Sequence, residues 1–236
     1  MNLPKDVEAI ADRISSFFKL PFASDTIPGG FAEALIADHY GGEVLATYDF
    51  VDVICAKKQI GWQIKSTKAA TPVTWKRAKI EGSAALIRDS DLRGDTEILG
   101  TKIIETCNEH AQESFNKYDL MEIRYARIIS SSDRFTYFEK PLIDKNNQFL
   151  FDPSDYTWKW AKPKRGKSKE QLPALNGFRN QEKWFAWHGR GENQLHFTGE
   201  KNWWPSVDFS VASATRMKPA QRRTWPELID WLSENT

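Results

Sequence analysis

The order of helix-like and strand-like segments is the feature that most narrows the fold of this chain. Residues 5–19 place apolar side chains on one face of a helix, and "FAEALIADHYGG" predicts a second helix that ends at two glycines. Three strand-like runs follow, "EVLATY", "FVDVICA" and "IGWQIKS", and the turn "KKQ" joins the last two. Residues 97–117 then predict a long amphipathic helix, and "MEIRYARIIS" and "RFTYFEKPL" predict two more strands. This order predicts an α/β or α+β fold with a mixed central sheet flanked by helices.

The C-terminal third of the chain has a different pattern. The segment "DPSDYTWKWAKPKRGKSKEQLPALNG" is polar and typical of a loop, and "EKWFAWHGRGENQLHFTGE" predicts a β-hairpin. Thr224 and Glu227 form a capping box, with Pro226 in the first turn of a final helix. We therefore predict a core over residues 1–151 and a hairpin-rich lobe over residues 152–236, both within one compact domain.

Composition excludes several classes of protein. With 40% hydrophobic and 28% charged residues, the 236-residue chain is typical of globular proteins. It has no apolar run long enough to cross a bilayer, and the acidic N-terminal stretch is unlike a signal peptide. Cys55 and Cys107 form no metal-binding pattern and predict buried thiols. Reduced cysteines and no membrane span lead us to expect a cytoplasmic protein.

Basic residues are concentrated in two stretches, although the net charge is only +1. Residues 64–79 and 157–169 contain lysine and arginine but no acid. Such segregation suits binding to phosphates, and two solvated lysine-rich loops are the alternative interpretation. Six of the ten tryptophans lie between residues 158 and 204. Tryptophans there favour a β-rich core over ligand contacts, with base stacking as the alternative.

The strand "GWQIKST" carries an amide and an ammonium group in an otherwise apolar run. Strand alternation places Gln63 and Lys65 on one face, while Trp62 and Ile64 pack on the other. Asp52 lies on the preceding strand, which we expect to be antiparallel, so its carboxylate is expected near Gln63 and Lys65. The alternative is a salt bridge between Asp52 and Lys65 on an exposed sheet face, with no role for Gln63.

An acid on one strand followed by acid-x-Lys on the next resembles the PD-(D/E)xK nuclease superfamily, which includes most Type II restriction endonucleases. The matching residues are Asp52, Gln63 and Lys65. The resemblance covers about residues 30–70, and the order of elements agrees to about residue 140. The chain departs from the pattern because no proline precedes Asp52 and because Gln63 stands where the second acid is usual. Some restriction enzymes carry Gln-x-Lys or Asn-x-Lys there.

The resemblance implies phosphodiester hydrolysis with one or two Mg²⁺ ions. It implies that the Asp52 carboxylate, the Gln63 amide oxygen and the Ile64 carbonyl are metal ligands. Lys65 would orient the attacking water and offset developing negative charge. A glutamate on the preceding helix often joins such sites, so Glu33 is expected there. Two other acids are alternatives, Glu43 and Asp49.

The expected partner is double-stranded DNA. The expected phosphate contacts are Ser66, Thr67, Lys68, Lys76, Arg77 and Lys79, with Lys164 and Arg165 as a second clamp. The hairpin offers residues for reading bases, namely His188, Arg190, Asn193 and Gln194, together with Glu192 and His196. The two histidines alone do not predict a metal site. No phosphate-binding loop motif indicates NTP use.

These expectations lead to a Mg²⁺-dependent, sequence-specific endodeoxyribonuclease of Type II restriction type. A homodimer is the economical arrangement if the recognised sequence is palindromic. A repair or junction-resolving nuclease and a non-cleaving DNA-binding protein on the same fold are the alternatives. A tryptophan-rich carbohydrate- or protein-binding module is a third, although it leaves the two basic stretches unexplained.

Overall fold

A computed structural model describes most of the chain. The described residues are 3–21, 23, 25–68, 72–77, 80–131, 134–146, 151–162, 164–165, 170–191, 193–198, 211–215 and 224–235. They form two compact units that are interleaved in sequence. Unit 1 comprises residues 1–70, 118–142 and 205–236, and unit 2 comprises residues 71–117 and 143–204. The boundary predicted between residues 151 and 152 therefore lies within unit 2.

The described elements confirm a mixed α+β protein. The helices are α1 (Leu3–Phe18), α2 (Gly29–Tyr40), α3 (Ser83–Arg93), α4 (Glu97–Lys117) and α5 (Trp225–Asn235), with a 3₁₀ turn at Pro153–Asp155. The strands are β1 (Glu43–Val44), β2 (Val53–Cys55), β3 (Ile60–Lys68), β4 (Val73–Arg77), β5 (Glu122–Ser130), β6 (Arg134–Asp144), β7 (Thr157–Trp160), β8 (Lys164–Arg165), β9 (Glu170–Gln171), β10 (Leu175–Arg179), β11 (Glu182–Trp187), β12 (Gln194–Phe197) and β13 (Val211–Thr215). None of the described helices is long and apolar enough to cross a membrane.

Unit 1 is built on a six-stranded mixed sheet in the order β1-β2-β3-β5-β6-β13. Strands β1, β2 and β3 form an antiparallel meander, and β5 lies parallel to β3. Helices α1 and α2 contribute apolar faces to the core, because Ile10, Ile14 and Ile36 are fully buried with Trp62 of β3. Residues of β3 that alternate with Trp62 therefore lie on the opposite face of the sheet.

Unit 1 also buries a network of charged and polar side chains. The carboxylate of Glu139 accepts hydrogen bonds from Tyr40 Oη at 2.9 Å, from Tyr137 Oη at 2.6 Å and from Trp62 Nε1 at 3.2 Å. The Arg124 guanidinium lies 3.4 Å from the same carboxylate. These contacts join α2, β3, β5 and β6 around one buried charge, which is stable inside a protein only when it is paired and hydrogen-bonded.

Unit 2 is built on a five-stranded antiparallel sheet in the order β4-β12-β11-β10-β7. Its core is aromatic, with buried rings at Trp75, Phe151, Tyr156, Trp158, Trp184, Phe185 and Phe197. The Trp158 ring packs so closely on α4 that a Cβ at Gly100 would lie 2.1 Å from it. The prediction that tryptophans serve as core residues is confirmed for four of this unit, namely Trp75, Trp158, Trp184 and Trp187, which are all buried.

Several sequence predictions are confirmed in detail. Helix α4 spans the predicted residues 97–117, and β11 pairs antiparallel with β12 as the predicted hairpin. The capping box at α5 forms, because the Thr224 N–H donates to the Glu227 carboxylate at 2.5 Å. Both cysteines are buried free thiols.

Other sequence predictions were wrong about secondary structure. The basic connection after Lys68 contains strand β4, whose alternation in "VTWKR" was obscured by its charges. The segment predicted to be a loop after residue 152 contains strands β7 to β10. These strands are short and charged, and several are only two to five residues long, so local pattern alone did not reveal them although they pair largely with one another.

Candidate functional site

The backbone around Asp52 brings its side chain to the edge of β3. The Asp52 N–H donates to the Trp62 carbonyl at 2.7 Å, just before β2 begins. The Asp52 carboxylate then accepts the Ile64 N–H at 2.6 Å, so a side chain takes an amide that a longer β2 would have paired. Because the N–H and C=O of one strand residue point to the same side, the Ile64 carbonyl is directed toward the edge that carries Asp52.

Lys65 completes an ion pair at this edge. Its Nζ lies 3.7 Å from Asp52 Oδ2, and the Lys65 and Asp52 side chains are 22% and 27% exposed. Gln63 lies on the same strand face as Lys65 but is only 3% exposed. The structure brings Asp52 and Lys65 together, with Gln63 buried on the same face of β3. Because both side chains are mostly buried, salt in the solvent screens this ion pair only partly, and the exposed part of each side chain can still be reached by a ligand.

Glu33 of α2 adds a second carboxylate. Burial raises the pKa of Glu33, the negative charge of Asp52 raises it further, and the positive charge of Lys65 partly offsets both effects. Two acids and one lysine thus act on one another electrostatically. A second cation between the carboxylates would relieve their repulsion, because a nearby positive charge favours the ionised form of each.

The donor set fits a hard divalent cation. Among the described residues, no group of three or more His, Cys, Asp and Glu side chains could hold a metal. The ligands expected from the sequence, Asp52, Glu33, Gln63 and Ile64, would instead supply two carboxylates, an amide oxygen and a backbone oxygen. Mg²⁺ keeps several waters and is usually bound through one or two carboxylates, so this oxygen set suits Mg²⁺ and not Zn²⁺.

The two alternative acids lie in other surroundings. Asp49 accepts hydrogen bonds from Tyr118 Oη and Thr47 Oγ1, each at 2.5 Å. Glu43 is exposed on the two-residue strand β1 and pairs in register with Ile54. Glu33 is thus the acid that the structure groups with Asp52 and Lys65.

The remaining predicted residues of β3 differ in exposure and partners. Ser66 donates its single hydroxyl proton to the Ile27 carbonyl at 2.7 Å, so that proton is not presented to a phosphate. Thr67 Oγ1 accepts a hydrogen bond from Arg127 at 2.8 Å. Lys68 is 68% exposed and lies 3.9 Å from Asp25. Of these three residues, Lys68 is therefore the one whose side chain reaches solvent and could contact a phosphate.

The predicted DNA-contact residues of unit 2 occupy several environments. Lys76 and Arg77 belong to β4, and Lys164 and Arg165 form β8. Lys79 and Glu192 lie outside the described residues.

The predicted base-reading hairpin is held by internal contacts. Arg190 pairs with Asp91 at 2.5 Å and lies 4.2 Å from the Trp160 ring centroid, so its guanidinium is already engaged. Asn193 has a left-handed backbone, with φ +50°, and its N–H donates to the His188 carbonyl at 3.0 Å, which closes the turn. The Gln194 amide oxygen lies 3.1 Å from His196 Nε2.

Sequence reasoning missed Arg127, which is fully buried beside the site. Arg127 lies opposite Lys65 in the parallel register of β5 on β3, and its guanidinium donates to Thr67. The available signal was an arginine within the apolar run "RYARIIS", the same kind of signal that drew attention to Lys65.

Comparisons with protein-family models, with curated proteins and with solved structures find no match to this chain. We therefore infer function from the chemistry of the residues at the β2–β3 edge.

Proposed function

We propose that the protein is a Mg²⁺-dependent endodeoxyribonuclease of Type II restriction type that cuts duplex DNA at a short sequence. The observation that carries the proposal is the ion pair of Asp52 and Lys65 where β3 continues past the first residue of β2, together with the electrostatic effect of both residues on Glu33. The order of elements supports it, because α2 is followed by an antiparallel meander and then by a strand parallel to β3. This is the order that the resemblance to PD-(D/E)xK nucleases covers.

Each residue has a distinct task in this reaction. Bound Mg²⁺ would supply Lewis acidity toward the phosphate and a more acidic water. Asp52 and Glu33 would hold the metal, assisted by the Gln63 amide and the Ile64 carbonyl. Lys65 would position the attacking water and offset charge on the phosphate oxygens. A P–O bond to the oxygen of the attacking water forms, and the P–O bond to the leaving sugar oxygen breaks. The attacking water loses one proton to solvent, and the sugar oxygen takes one proton from solvent.

A salt bridge without a catalytic role is the alternative interpretation of Asp52 and Lys65. Such a pair gains nothing from a second carboxylate, and burial together with the negative charge of Asp52 raises the pKa of Glu33, so its ionised form is unfavourable there. Structure that is retained despite an electrostatic cost is more typical of a site than of a scaffold. The presence of Glu33 therefore favours a metal site.

The experiment that tests the proposal is digestion of unmethylated phage DNA by the purified protein, with Mg²⁺ or with EDTA. We expect discrete fragments only with Mg²⁺, and loss of at least about a hundredfold in cleavage rate for Lys65→Ala. The matched control is Lys57→Ala, which removes an exposed lysine from the β2–β3 turn and should cleave at the normal rate. Intact DNA in every lane, with binding that weakens as salt rises, would instead support a non-cleaving DNA-binding protein.

A further inference from the structure

Unit 2 contains a small cavity that the proposed nuclease site does not use. Its volume is about 230 Å³, and its lining includes residues of the hairpin and of the neighbouring strand β10. The cavity exists because Ala186 of β11 pairs with Asn176 on one side and with His196 on the other. A methyl group between two longer side chains leaves space above the sheet.

The charges around this cavity are positive. Lys162, Lys183, His188 and His196 all line it, and none of its described lining residues carries a carboxylate. The two imidazole rings lie 4.6 Å apart between centroids, so both rings belong to one part of the lining. Ammonium groups and imidazole N–H donors around a small space favour an anion, and phosphate accepts several such hydrogen bonds at once.

The cations of unit 2 differ in whether an acid compensates them. Arg190, in the turn of the same hairpin, is paired with Asp91 at 2.5 Å. No ion pair between described residues involves Lys162 or Lys183, the two lysines of the cavity. Among the described residues, the two cavity lysines therefore lack an ion-pair partner, whereas Arg190 at the tip of the hairpin has one.

The shape of the cavity indicates the rest of the ligand. A volume of about 230 Å³ is below the range of about 300–1,000 Å³ that is usual for drug-sized ligands, so a ligand as large as a nucleotide would fill it and extend past its rim. The lining also offers the amide of Asn176 and apolar surface from Ala186 and from Leu172, which is 54% exposed. A flat ring can pack on such apolar surface while an amide bonds to its edge.

We propose that this cavity binds a single nucleotide, with its phosphate against the two lysines and two histidines and its base over Ala186. The nucleotide comes either as a free mononucleotide or as one unit of a single strand whose base is splayed out. This inference goes beyond the proposed nuclease function and does not require cleavage.

The test is calorimetric titration of the full-length protein in EDTA with each deoxynucleoside monophosphate, with the corresponding nucleosides and with inorganic phosphate. We expect saturable binding of at least one monophosphate. Its nucleoside should bind about tenfold more weakly or worse, because the charge-assisted hydrogen bonds are lost. Absence of saturable binding by every monophosphate would overturn the proposal. Inorganic phosphate that binds as tightly as the nucleotides would overturn the assignment of the base.

Variants locate the binding in this cavity. Lys162→Gln combined with Lys183→Gln should weaken binding about tenfold or more, and Ala186→Leu should abolish it by filling the space. Lys145→Gln removes an exposed lysine of unit 2 that does not line the cavity and should leave affinity unchanged. If Ala186→Leu does not fold, His196→Gln replaces it and should weaken binding. Wild-type affinity in a folded cavity variant would overturn the proposal.

A short single-stranded oligonucleotide distinguishes the two sources of the ligand. Tighter binding of the oligonucleotide than of the mononucleotide supports a splayed unit of a strand, and the reverse supports a free nucleotide. Repeating the titration with Lys65→Ala separates this site from the proposed nuclease site. That variant should bind the nucleotide normally whether or not the wild-type protein cleaves DNA.

Discussion

The two compact units bury different chemistry. Unit 1 encloses charges, since Arg124, Arg127 and Glu139 are each at most 2% exposed. Unit 2 encloses aromatic rings, for example Phe185 and Phe197, whose centroids lie 5.4 Å apart. In an apolar core, the stability lost on truncating a side chain grows with the volume removed. A buried charge that loses its partner instead carries its full desolvation cost.

The difference also separates the two candidate sites. At the β2–β3 edge of unit 1, the carboxylates of Asp52 and Glu33 are the groups proposed to bind a cation. In the cavity of unit 2, lysines and histidines attract an anion. A chain with a net charge of +1 can thus hold local sites of both signs, and the overall charge says little about either.

The largest expected effect is removal of the charge at the centre of unit 1. Glu139→Ala leaves Arg124 without one of its two acids and takes the shared acceptor from Tyr40 and Tyr137. We expect a loss of about 3–5 kcal/mol in the free energy of unfolding, measured by urea denaturation. A loss below about 1 kcal/mol would contradict the view that unit 1 depends on this charge. Glu182→Ala, at an exposed position of unit 2, is the control and should change little.

A smaller effect is expected from overpacking unit 2. Gly100→Ala would place a Cβ 2.1 Å from the Trp158 ring, and the large indole cannot move without disturbing the aromatic core. We expect destabilisation of about 3 kcal/mol, at the upper end of the usual range for overpacking.

Gly30→Ala is the matched control for that substitution. Gly30 lies in α2 of unit 1, and a Cβ there would meet no atom within 4 Å. Its effect should be neutral or slightly stabilising, since alanine favours helix. Equal melting temperatures for Gly100→Ala and the wild-type protein would show that the core of unit 2 adapts more readily than its packing indicates.

How far the sequence predicted these features depends on the range of the interactions. The β2–β3 edge was predictable because Asp52 and Lys65 lie on strands joined by a short turn, so local register brings them together. The pairing of Arg127 with Thr67 and the network at Glu139 were not, because they require strands far apart in sequence. Strand β4 was missed for the same reason, since its partner β12 lies far along the chain.

The next largest effect is stabilisation of unit 1 by bound Mg²⁺. If the Asp52 and Glu33 carboxylates hold the ion, Mg²⁺ at a hundred times its dissociation constant should stabilise the native state by about 2.7 kcal/mol. Hydrogen exchange should then show added protection at β2 and β3. Asp52→Asn should abolish the stabilisation, whereas Glu8→Gln on the exposed face of α1 should retain it. Equal stabilisation of the wild-type and Asp52→Asn proteins would place the ion elsewhere.

The smallest effects are two pH dependences of opposite sign, one in each unit. The pKa of Glu33 is raised by burial and by Asp52, so its ionisation opposes folding, and this cost appears as pH rises above its ordinary pKa of 4.5. Glu33→Gln should therefore be more stable than the wild-type protein at neutral pH, and the difference should vanish in acid. Asp152 of unit 2 accepts hydrogen bonds from the Ser154 hydroxyl at 2.7 Å and its N–H at 2.9 Å, which lower its pKa.

The sign for Asp152 is consequently reversed. Its ionised form is favoured in the folded state, so it adds stability above its ordinary pKa of 3.8, and that stability is lost as pH falls through the lowered value. Asp152→Asn should be slightly less stable than the wild-type protein at neutral pH and should match it in strong acid. Melting temperatures of both variants between pH 3 and pH 8 test the pair. Profiles that shift in the same direction would show that folding does not raise the pKa of Glu33, which would remove the support that Glu33 gives to a cation site at that edge.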